Sequence, residues 1–455
     1  MSRRSQRRDD SAIPGGAPSA VPAIDDVAAP APPPYGRFGT TFRALRNRNY
    51  RLFYFGQMVS LSGTWMQTIA QAWLVLQLTD SKVALGTVTM LQFLPITMFV
   101  LFAGVIADRV RKRDFIVLTR LLAMAQALTL AALVWSGNVE LWHVYVLAFV
   151  LGLANAFEQP TRQAFVVEMV GRDDLMNAVA LNSSMFNAAR LVGPAIGGII
   201  IATVGVKAAF LLNGLSFIPV IGALLLMDVA QLHSPMRKTG RIDPLGELRE
   251  GLSYAFRTPA ILIIVILMAF IGTFGINFTV MLPLVARYVL DGGAAALGFM
   301  TAAVGLGALV AALSIASRTS ATIRTMFIGG TLFGVLLLAL ASSQWLAASL
   351  IVLVGLGVAH TTFQATANTS LQLSAPDELR GRVMSLYMLL VAGSTPVGGF
   401  FTGWMAEQAG VSTAVAINGA LCLVGVAFGA LYFASHRERI ESGATSAAST
   451  AAVGT

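Results

Sequence analysis

From about residue 50 to residue 435 the chain alternates long apolar runs with short polar breaks. Each run is long enough for a helix that crosses a bilayer, which takes about 20 residues. Twelve such runs are present: 52–78, 83–107, 115–135, 141–166, 176–203 and 208–227, then 260–288, 295–316, 323–342, 345–373, 383–405 and 412–433. The hydrophilic stretch Asp228 to Thr258 separates the two sets of six and carries Arg237, Lys238, Arg241, Arg249 and Arg257. Within it, Asp243 to Ala255 has the pattern of a short amphipathic surface helix. The pattern predicts an all-α membrane protein of 12 transmembrane helices in two six-helix bundles. Its segments are a basic, proline- and alanine-rich tail at 1–40, a first bundle at 41–228, a central loop at 229–258, a second bundle at 259–434 and a tail at 435–455.

Composition narrows the class. Of 455 residues, 56% are hydrophobic and 12% charged, where a soluble domain has about a quarter charged. With a mean hydropathy of +0.73, a cytosolic enzyme is excluded. The single cysteine, Cys422, excludes an intrachain disulfide, a cysteine-ligated zinc cluster and an iron–sulfur centre. No G-x-x-x-x-G-K-[ST] loop, catalytic triad or metal-ligand cluster is present. An enzyme, a cofactor and a metal are therefore not expected. The net charge of +9 sits between the apolar runs rather than on one face, so it reads as a topology signal and not as a nucleic-acid footprint. The odd-numbered loops hold only Lys82, Lys207 and Arg287. That bias predicts a cell (cytoplasmic) membrane protein with both termini in the cytoplasm. The expected partners are the lipid bilayer and a small-molecule substrate, with a monomer as the working unit.

The two halves repeat one another. Asp173-Asp174-Leu175 matches Asp377-Glu378-Leu379, Pro194-Ala195-Ile196-Gly197-Gly198 matches Pro396-Val397-Gly398-Gly399, and Asn213-Gly214 matches Asn418-Gly419, at offsets of 204, 202 and 205. Three ordered matches point to a duplicated six-helix unit with a pseudo-twofold axis along the membrane normal.

The loop after the second span reads Gly104-Val105-Ile106-Ala107-Asp108-Arg109-Val110-Arg111-Lys112-Arg113. Gly104 would let two helices approach closely, Asp108 can pair with a neighbouring helix end, and Arg109 to Arg113 favour an anionic leaflet. A positive-inside anchor and a charge latch both fit. With the 6 + 6 layout, this loop resembles the signature G-x-x-x-D-R-x-G-R-R of the major facilitator superfamily, with Arg111 in place of a glycine and Lys112 in place of an arginine. The resemblance covers about residues 45–435 and implies a conformational latch at Gly104, Asp108, Arg109 and Arg113. The fifth span reads Ala189-Arg190-Leu191-Val192-Gly193-Pro194-Ala195-Ile196-Gly197-Gly198. Proline bends a helix and glycines smooth its face. The stretch also resembles the antiport-associated G-x-x-x-G-P-x-x-G-G motif of exporter branches, which singles out Gly193, Pro194, Gly197 and Gly198. Asn155 to Gly198 looks most like the branch of the enterobactin exporter and macrolide efflux proteins. That likeness implies proton-driven export of a bulky amphipathic compound: a siderophore, antibiotic or other secondary metabolite. Uptake by symport and movement of lysophospholipid or lipid are the alternatives on the same fold.

Ionisable groups inside a membrane are costly and usually serve function. Arg190 lies in mid-span on a stripe with Ser183, Asn187 and Pro194, and its expected counter-charge is Glu158, beside Asn155 and Gln159. Glu158 reads either as half of a structural ion pair or as a protonatable carrier. Arg190 reads as its partner or as an anchor for an anionic substrate group. Arg162 and Glu168 read as snorkelling or gate residues nearer the cytoplasmic end. His360, followed by Gln364, is either a satisfied helix–helix contact or a proton relay. Gln67 and Thr273, and Gln71 and Asn277, share an offset of 206. They would either hydrogen-bond between helices or form a cavity wall, with substrate between spans 1, 4, 5, 7, 10 and 11.

Overall fold

The computed structural model describes residues 42–233, 244–316 and 322–436. Among the described residues the α-helices are α1 (Arg48–Thr79), α2 (Lys82–Arg109), α3 (Lys112–Ser136), α4 (Leu141–Val170), α5 (Leu175–Thr203), α6 (Val206–Leu225), α7 (Pro244–Arg257), α8 (Pro259–Phe270), α9 (Phe278–Tyr288), α10 (Ala294–Ala316), α11 (Ile323–Ser342), α12 (Leu346–Ser374), α13 (Asp377–Ala409) and α14 (Val411–Ser435). The sequence-predicted N-terminal tail, most of the C-terminal tail and the basic cluster Arg237, Lys238 and Arg241 lie outside the described residues.

Local chemistry sets the helix boundaries. Between α1 and α2 the chain reverses at Asp80, whose φ of 52° is left-handed, and at Ser81, whose hydroxyl accepts the Ala84 N–H at 3.2 Å. Gly410, with φ of 86°, both ends α13 and begins α14, a turn a side chain would strain. α7 is the expected surface helix. Its Gly251 packs on the Arg382 backbone of α13, and Glu250 pairs with the Arg382 guanidinium.

Among the described residues eleven helical segments are long and apolar enough to cross a membrane, with α8 and α9 together counting as one, Pro259–Tyr288. Besides the short α7, the helix left out is α1. Its 32 residues suffice in length, but Gln57, Gln67, Gln71 and Gln77 lower its hydropathy. Three of these polar groups are turned inward, since Gln57, Gln67 and Gln71 are buried, while Gln77 is exposed. Large apolar side chains such as Leu118, Ile218, Ile351 and Leu431 are instead more than half exposed, as a lipid-facing surface requires.

One span departs from its pattern. Residues 260–288 read as a continuous helix, but α8 ends in a π-helical turn at Ile271–Gly275 and the chain restarts as α9 after Asn277. Gly275 lies against Phe333 and Cys422, where no side chain fits. The Asn277 amide donates to the Thr273 carbonyl at 2.6 Å, satisfying an acceptor that the break releases.

The pseudo-twofold repeat is visible in matched packing. Gly197 of α5 lies against Met66 of α1, and Gly198 against Ala294 and Gly298 of α10. In the second half, Gly398 of α13 lies against Thr273 and Asn277 of the broken span, and Gly399 against Thr89 of α2. The duplicated glycine pair thus does the same work twice: its first member seats a helix of its own half, and its second seats a helix of the other half. Asn213 of α6 and Asn418 of α14 are likewise both buried, the first bonded to Gln67 and the second to Thr402.

The halves meet along two crossings, α2 with α13 and α5 with α10. At the end of the α1–α2 turn, called the distal side below, both are backbone-close. A methyl on Gly86 would lie 2.8 Å from the Gly399 carbonyl oxygen, and one on Gly298 would lie 2.6 Å from the Pro194 carbonyl oxygen. Charges add to the distal contact. Asp80 pairs with Arg287 at 2.7 Å and accepts the Tyr288 hydroxyl at 2.7 Å, the Lys82 N–H donates to Glu407 at 2.8 Å, and the Lys82 ammonium stands 4.7 Å above the Tyr288 ring. Midway along the first crossing, the Thr97 hydroxyl donates to the Ala392 carbonyl at 2.9 Å.

Gly104 does not play the expected part, because a Cβ there meets no described atom within 4 Å. The two glycines therefore predict opposite results. Gly398→Leu drives a side chain into the Thr273 carbonyl and should lower unfolding stability by ~1–3 kcal/mol or prevent folding. Gly104→Ala should leave stability unchanged or slightly raised, by up to ~1 kcal/mol from helix propensity. Thermal unfolding of the detergent-solubilised variants checks both, and equal losses would contradict the packing described.

Candidate functional site

Between the halves lies a chamber of two lobes with shared walls at Trp65, Thr68 and Ala72 of α1, Phe93 of α2, Phe186 of α5 and Thr279 of α9. The first lobe, about 300 Å³, is lined mainly by α1 to α4 and holds Gln57, Gln71, Arg120, Asn155, Glu158 and Arg162. The second, about 230 Å³, reaches into the C-terminal half and holds Arg190, Phe278, His360, Gln364 and Thr395. The six spans expected to surround a substrate all contribute, and α2, α3 and α10 add to them.

The first lobe is organised around Glu158. Its Oε1 accepts from Arg120 Nη2 of α3 at 2.6 Å and faces Arg162 Nε, one turn along α4, at 3.3 Å. Arg120 also donates to Gln57 Oε1 of α1 at 3.2 Å, and its guanidinium lies 5.8 Å from the Phe217 ring of α6. Arg162 reaches Asn182 of α5 at 3.4 Å. By ion pairs and hydrogen bonds, one carboxylate and its arginines thereby link four of the six helices of their half. The side chains of Arg120 and Glu158 are 7% and 8% exposed, so their attraction is only weakly screened and neither can lose its partner without a large desolvation penalty.

This corrects the sequence expectation that Glu158 pairs with Arg190. Glu158 faces α3 and α1, whereas Arg190 lies in the other lobe with its guanidinium 5.8 Å from the Trp65 ring. A common depth along two helices does not make two residues neighbours; helix rotation decides it. Arg162 is likewise no snorkelling residue, since it is buried within the cluster. Glu168 is tied to Lys112 at 2.7 Å. Sequence reading missed Arg120, although a charge six residues inside the apolar run 115–135 was the available signal.

The matched polar pairs separate. Gln71 lines the first lobe and donates to Gln92 of α2 at 2.9 Å. Gln67 is turned away from both lobes, donating to Gln126 of α3 at 2.9 Å and accepting from Asn213 of α6 at 2.6 Å. Thr273 and Asn277 line neither lobe and serve the break in the seventh span. Of these four, then, only Gln71 is a cavity wall. Asn187 also lines neither lobe, and its amide donates to the Ser183 carbonyl of its own helix at 2.9 Å. Asn155 and Gln364 do face the chamber.

His360 is 5% exposed and lies among rings, 6.0 Å from Phe278 and 6.2 Å from Phe333. It makes no helix–helix hydrogen bond, because neither ring nitrogen has a partner. The Trp65 indole nitrogen is also buried without one. Among the described residues no group of three His, Cys, Asp or Glu could hold a metal ion.

The loop between α2 and α3 binds its own half. Arg113 donates to the carbonyls of Leu224 at 2.7 Å and Leu225 at 3.2 Å, capping α6. Such bonds hold the N-terminal half together and do not latch it to the other, which corrects the expectation for Arg113. Arg109 is exposed beside a surface cleft, and the Asp108 side chain lies outside the described residues.

Breaking the Glu158 cluster from one side should be worse than removing the pair. Arg120→Leu alone should destabilise by ~3–5 kcal/mol, and Arg120→Leu with Glu158→Gln should recover part of the loss, with a coupling of ~1–3 kcal/mol. A double-mutant cycle on unfolding in detergent measures this. Additive losses would mean that the two side chains do not interact as described.

Comparison with known proteins agrees with this architecture. Residues 39–450 match the family described as transmembrane secretion effector. The multidrug efflux pump Tap of Mycolicibacterium fortuitum is 28% identical over 386 residues, covering 82% of this chain and 93% of that protein. The staphyloferrin A transporter of Staphylococcus aureus is 24% identical over 376 residues, covering 81% and 92%. Among solved structures, a bacterial homologue of the human lysosomal transporter Spinster, inward-facing and occupied, superposes with a TM-score of 0.67 at 13% identity, over 85% of this chain and 97% of that one. A POT family transporter bound to a thioalcohol-conjugated peptide gives 0.69 at 14%, over 85% and 96%. The duplicated helical halves, the chamber between them and the match over most of the chain agree: this protein belongs to the transmembrane secretion effector family of major facilitator superfamily transporters.

Proposed function

We propose that this transporter exports a bulky amphipathic small molecule against inward movement of protons, with both termini in the cytoplasm and one chain as the working unit. The observation that carries this reading is the chamber itself. It joins an aromatic-lined space to a buried carboxylate, and it sits between halves whose contacts are glycine-lined and therefore separable. Export rather than uptake is supported by the names of relatives, a multidrug efflux pump foremost.

Glu158 is the proton site in this mechanism. Its charge holds Arg120 and Arg162. A proton on the carboxyl removes the attraction to both arginines, frees them to turn toward the lumen, and loosens α3 and α5 from α4. Substrate release and the return of the empty carrier follow from the rocking that this permits. Asp108 and Arg109 remain proposed latch residues at the termini's side.

Asp80 has the opposite character. It lies in the turn outside the membrane spans, and the Tyr288 hydroxyl bond, followed by the Arg287 charge, holds its carboxyl below the ordinary value of about 3.9. A depressed acid keeps its contact above its unfolded-state value and loses it only as pH falls through the lowered one. Asp80 therefore keeps its charge throughout pH 5–8, and this contact does not act as the proton sensor. Asp80→Asn should weaken it at neutral pH, and spin labels at Ser81 and Gly292 should show a longer, broader distance distribution. A distribution unchanged by the substitution would show that the glycine crossings alone close this side.

Proton coupling is tested in proteoliposomes. Glu158→Gln should abolish the dependence of net substrate flux on an imposed pH gradient, by roughly tenfold or more, while substrate exchange without a gradient persists. Unchanged gradient-driven flux in Glu158→Gln would remove Glu158 from the mechanism.

A further inference from the structure

The second lobe is rich in donors and lacks acceptors of matching charge. Arg190 lines it with the Trp65 ring 5.8 Å away, and no acidic side chain shares the wall. Trp65 Nε1 and both His360 ring nitrogens are shut off from solvent with no hydrogen-bond partner. Gln364 adds an amide. The carboxylate nearest in sequence logic, Glu158, is held in the first lobe by Arg120 and Arg162. Counted over both lobes, three arginines face one glutamate. A guanidinium without a counter-charge and buried donors without acceptors are each unfavourable in an apolar setting. A ligand that brings negatively charged oxygens can accept from the guanidinium, the indole N–H and the one N–H of a neutral His360, whereas a cationic ligand meets like charge.

We propose that the second lobe is a binding subsite for the acidic group of the substrate, a carboxylate or comparable oxyanion, with Arg190 as its charge partner and His360 and Trp65 as hydrogen-bond donors. This deepens the export reading and rests on it for the word substrate, but the binding preference stands or falls separately. Arg190 can offer two parallel N–H groups, the geometry that suits a carboxylate. His360 and Trp65 join when their rings turn an N–H toward the lumen, since in this conformation those nitrogens are closed off. Phe278 and Phe186 on the walls take the apolar body of the ligand, which extends across the shared wall into the first lobe. The transported class is then amphipathic acids rather than amphipathic amines.

The test uses matched probes that share a ring system and linker: 1-pyrenebutyrate, its methyl ester and 1-pyrenebutylamine. Binding to the full chain in lipid nanodiscs is measured by fluorescence, with empty nanodiscs subtracted. The butyrate should bind about tenfold or more tightly than the ester and the amine. Arg190→Gln should bring the butyrate to the level of the ester, Arg190→Lys should keep only part of the preference because it supplies the charge without the fork, and His360→Phe should weaken butyrate several-fold with little effect on the ester. Should Arg190→Gln fail to fold, the wild-type preference and the His360→Phe result still decide. Equal or tighter binding of the amine by the wild type, or a preference that survives Arg190→Gln, overturns the proposal. Flux separates the two readings. Gradient-driven movement of the amine but not the butyrate keeps export and removes the acidic subsite. Selective binding of butyrate with no gradient-driven movement of any probe keeps the subsite and removes export.

Discussion

A carboxylate held between two arginines inside an apolar bundle is the interaction on which the N-terminal half is organised. Hydrocarbon offers no partner to a charge, so an ionised group buried here is costly unless the protein or a bound ligand supplies its counter-ion. Glu158 meets that demand with Arg120 and Arg162, and through them draws α1, α3 and α5 onto α4. The same demand explains why α1 is the least apolar of the long helices. Gln57, Gln67 and Gln71 are the bonding partners that the polar interior needs, and they lie on the inner faces. The C-terminal half has no such cluster in its share of the chamber. There the polar groups are fewer, and some of their nitrogens have no partner. The two lobes thus differ in kind: one is internally neutralised to a large degree, and the other presents unsatisfied donors.

A second constraint follows from motion. Halves that must separate cannot be joined by deep interlocking side chains. The α2–α13 and α5–α10 crossings use backbone against backbone, with Gly86, Gly198, Gly298 and Gly399 at the near points. Such surfaces pack closely and part without dragging bulky groups through one another. On the distal side, Asp80, Arg287, Tyr288, Lys82 and Glu407 add charge contacts that are exposed and hence individually weak. Close contact from glycine with modest ties from surface charge is an arrangement that holds one conformation without trapping it.

Much of this was legible in the sequence, and the rest was not for identifiable reasons. Apolar length and the hydrophilic connector located the helices, because a bilayer imposes both. The repeated proline-to-glycine-pair segments, Pro194 to Gly198 and Pro396 to Gly399, marked the two halves as copies and gave each a smooth face, because close packing needs glycine wherever it occurs. Partner choice was hidden. Glu158 and Arg190 seemed a pair by depth, but the rotation of α4 and α5 about their own axes puts them in different lobes. Gln67 and Gln71, one turn apart, likewise face different neighbours. Arg120 went unnoticed among basic residues counted for topology. The π-helical break at Ile271–Gly275 was invisible because Gly272, Gly275 and Asn277 stand in a run apolar enough to read as one helix.

The central claim is a chamber that opens to one side of the membrane at a time, and substituted-cysteine accessibility tests it most directly. With Cys422 replaced, a cysteine at Thr68, on the wall common to both lobes, is exposed to a membrane-impermeant thiol reagent from each side in turn. The account predicts labelling from the termini's side at rest, where the distal contacts are closed, and labelling from the distal side once a pH gradient and substrate drive turnover. Labelling from one side alone under every condition, or from neither, would contradict it.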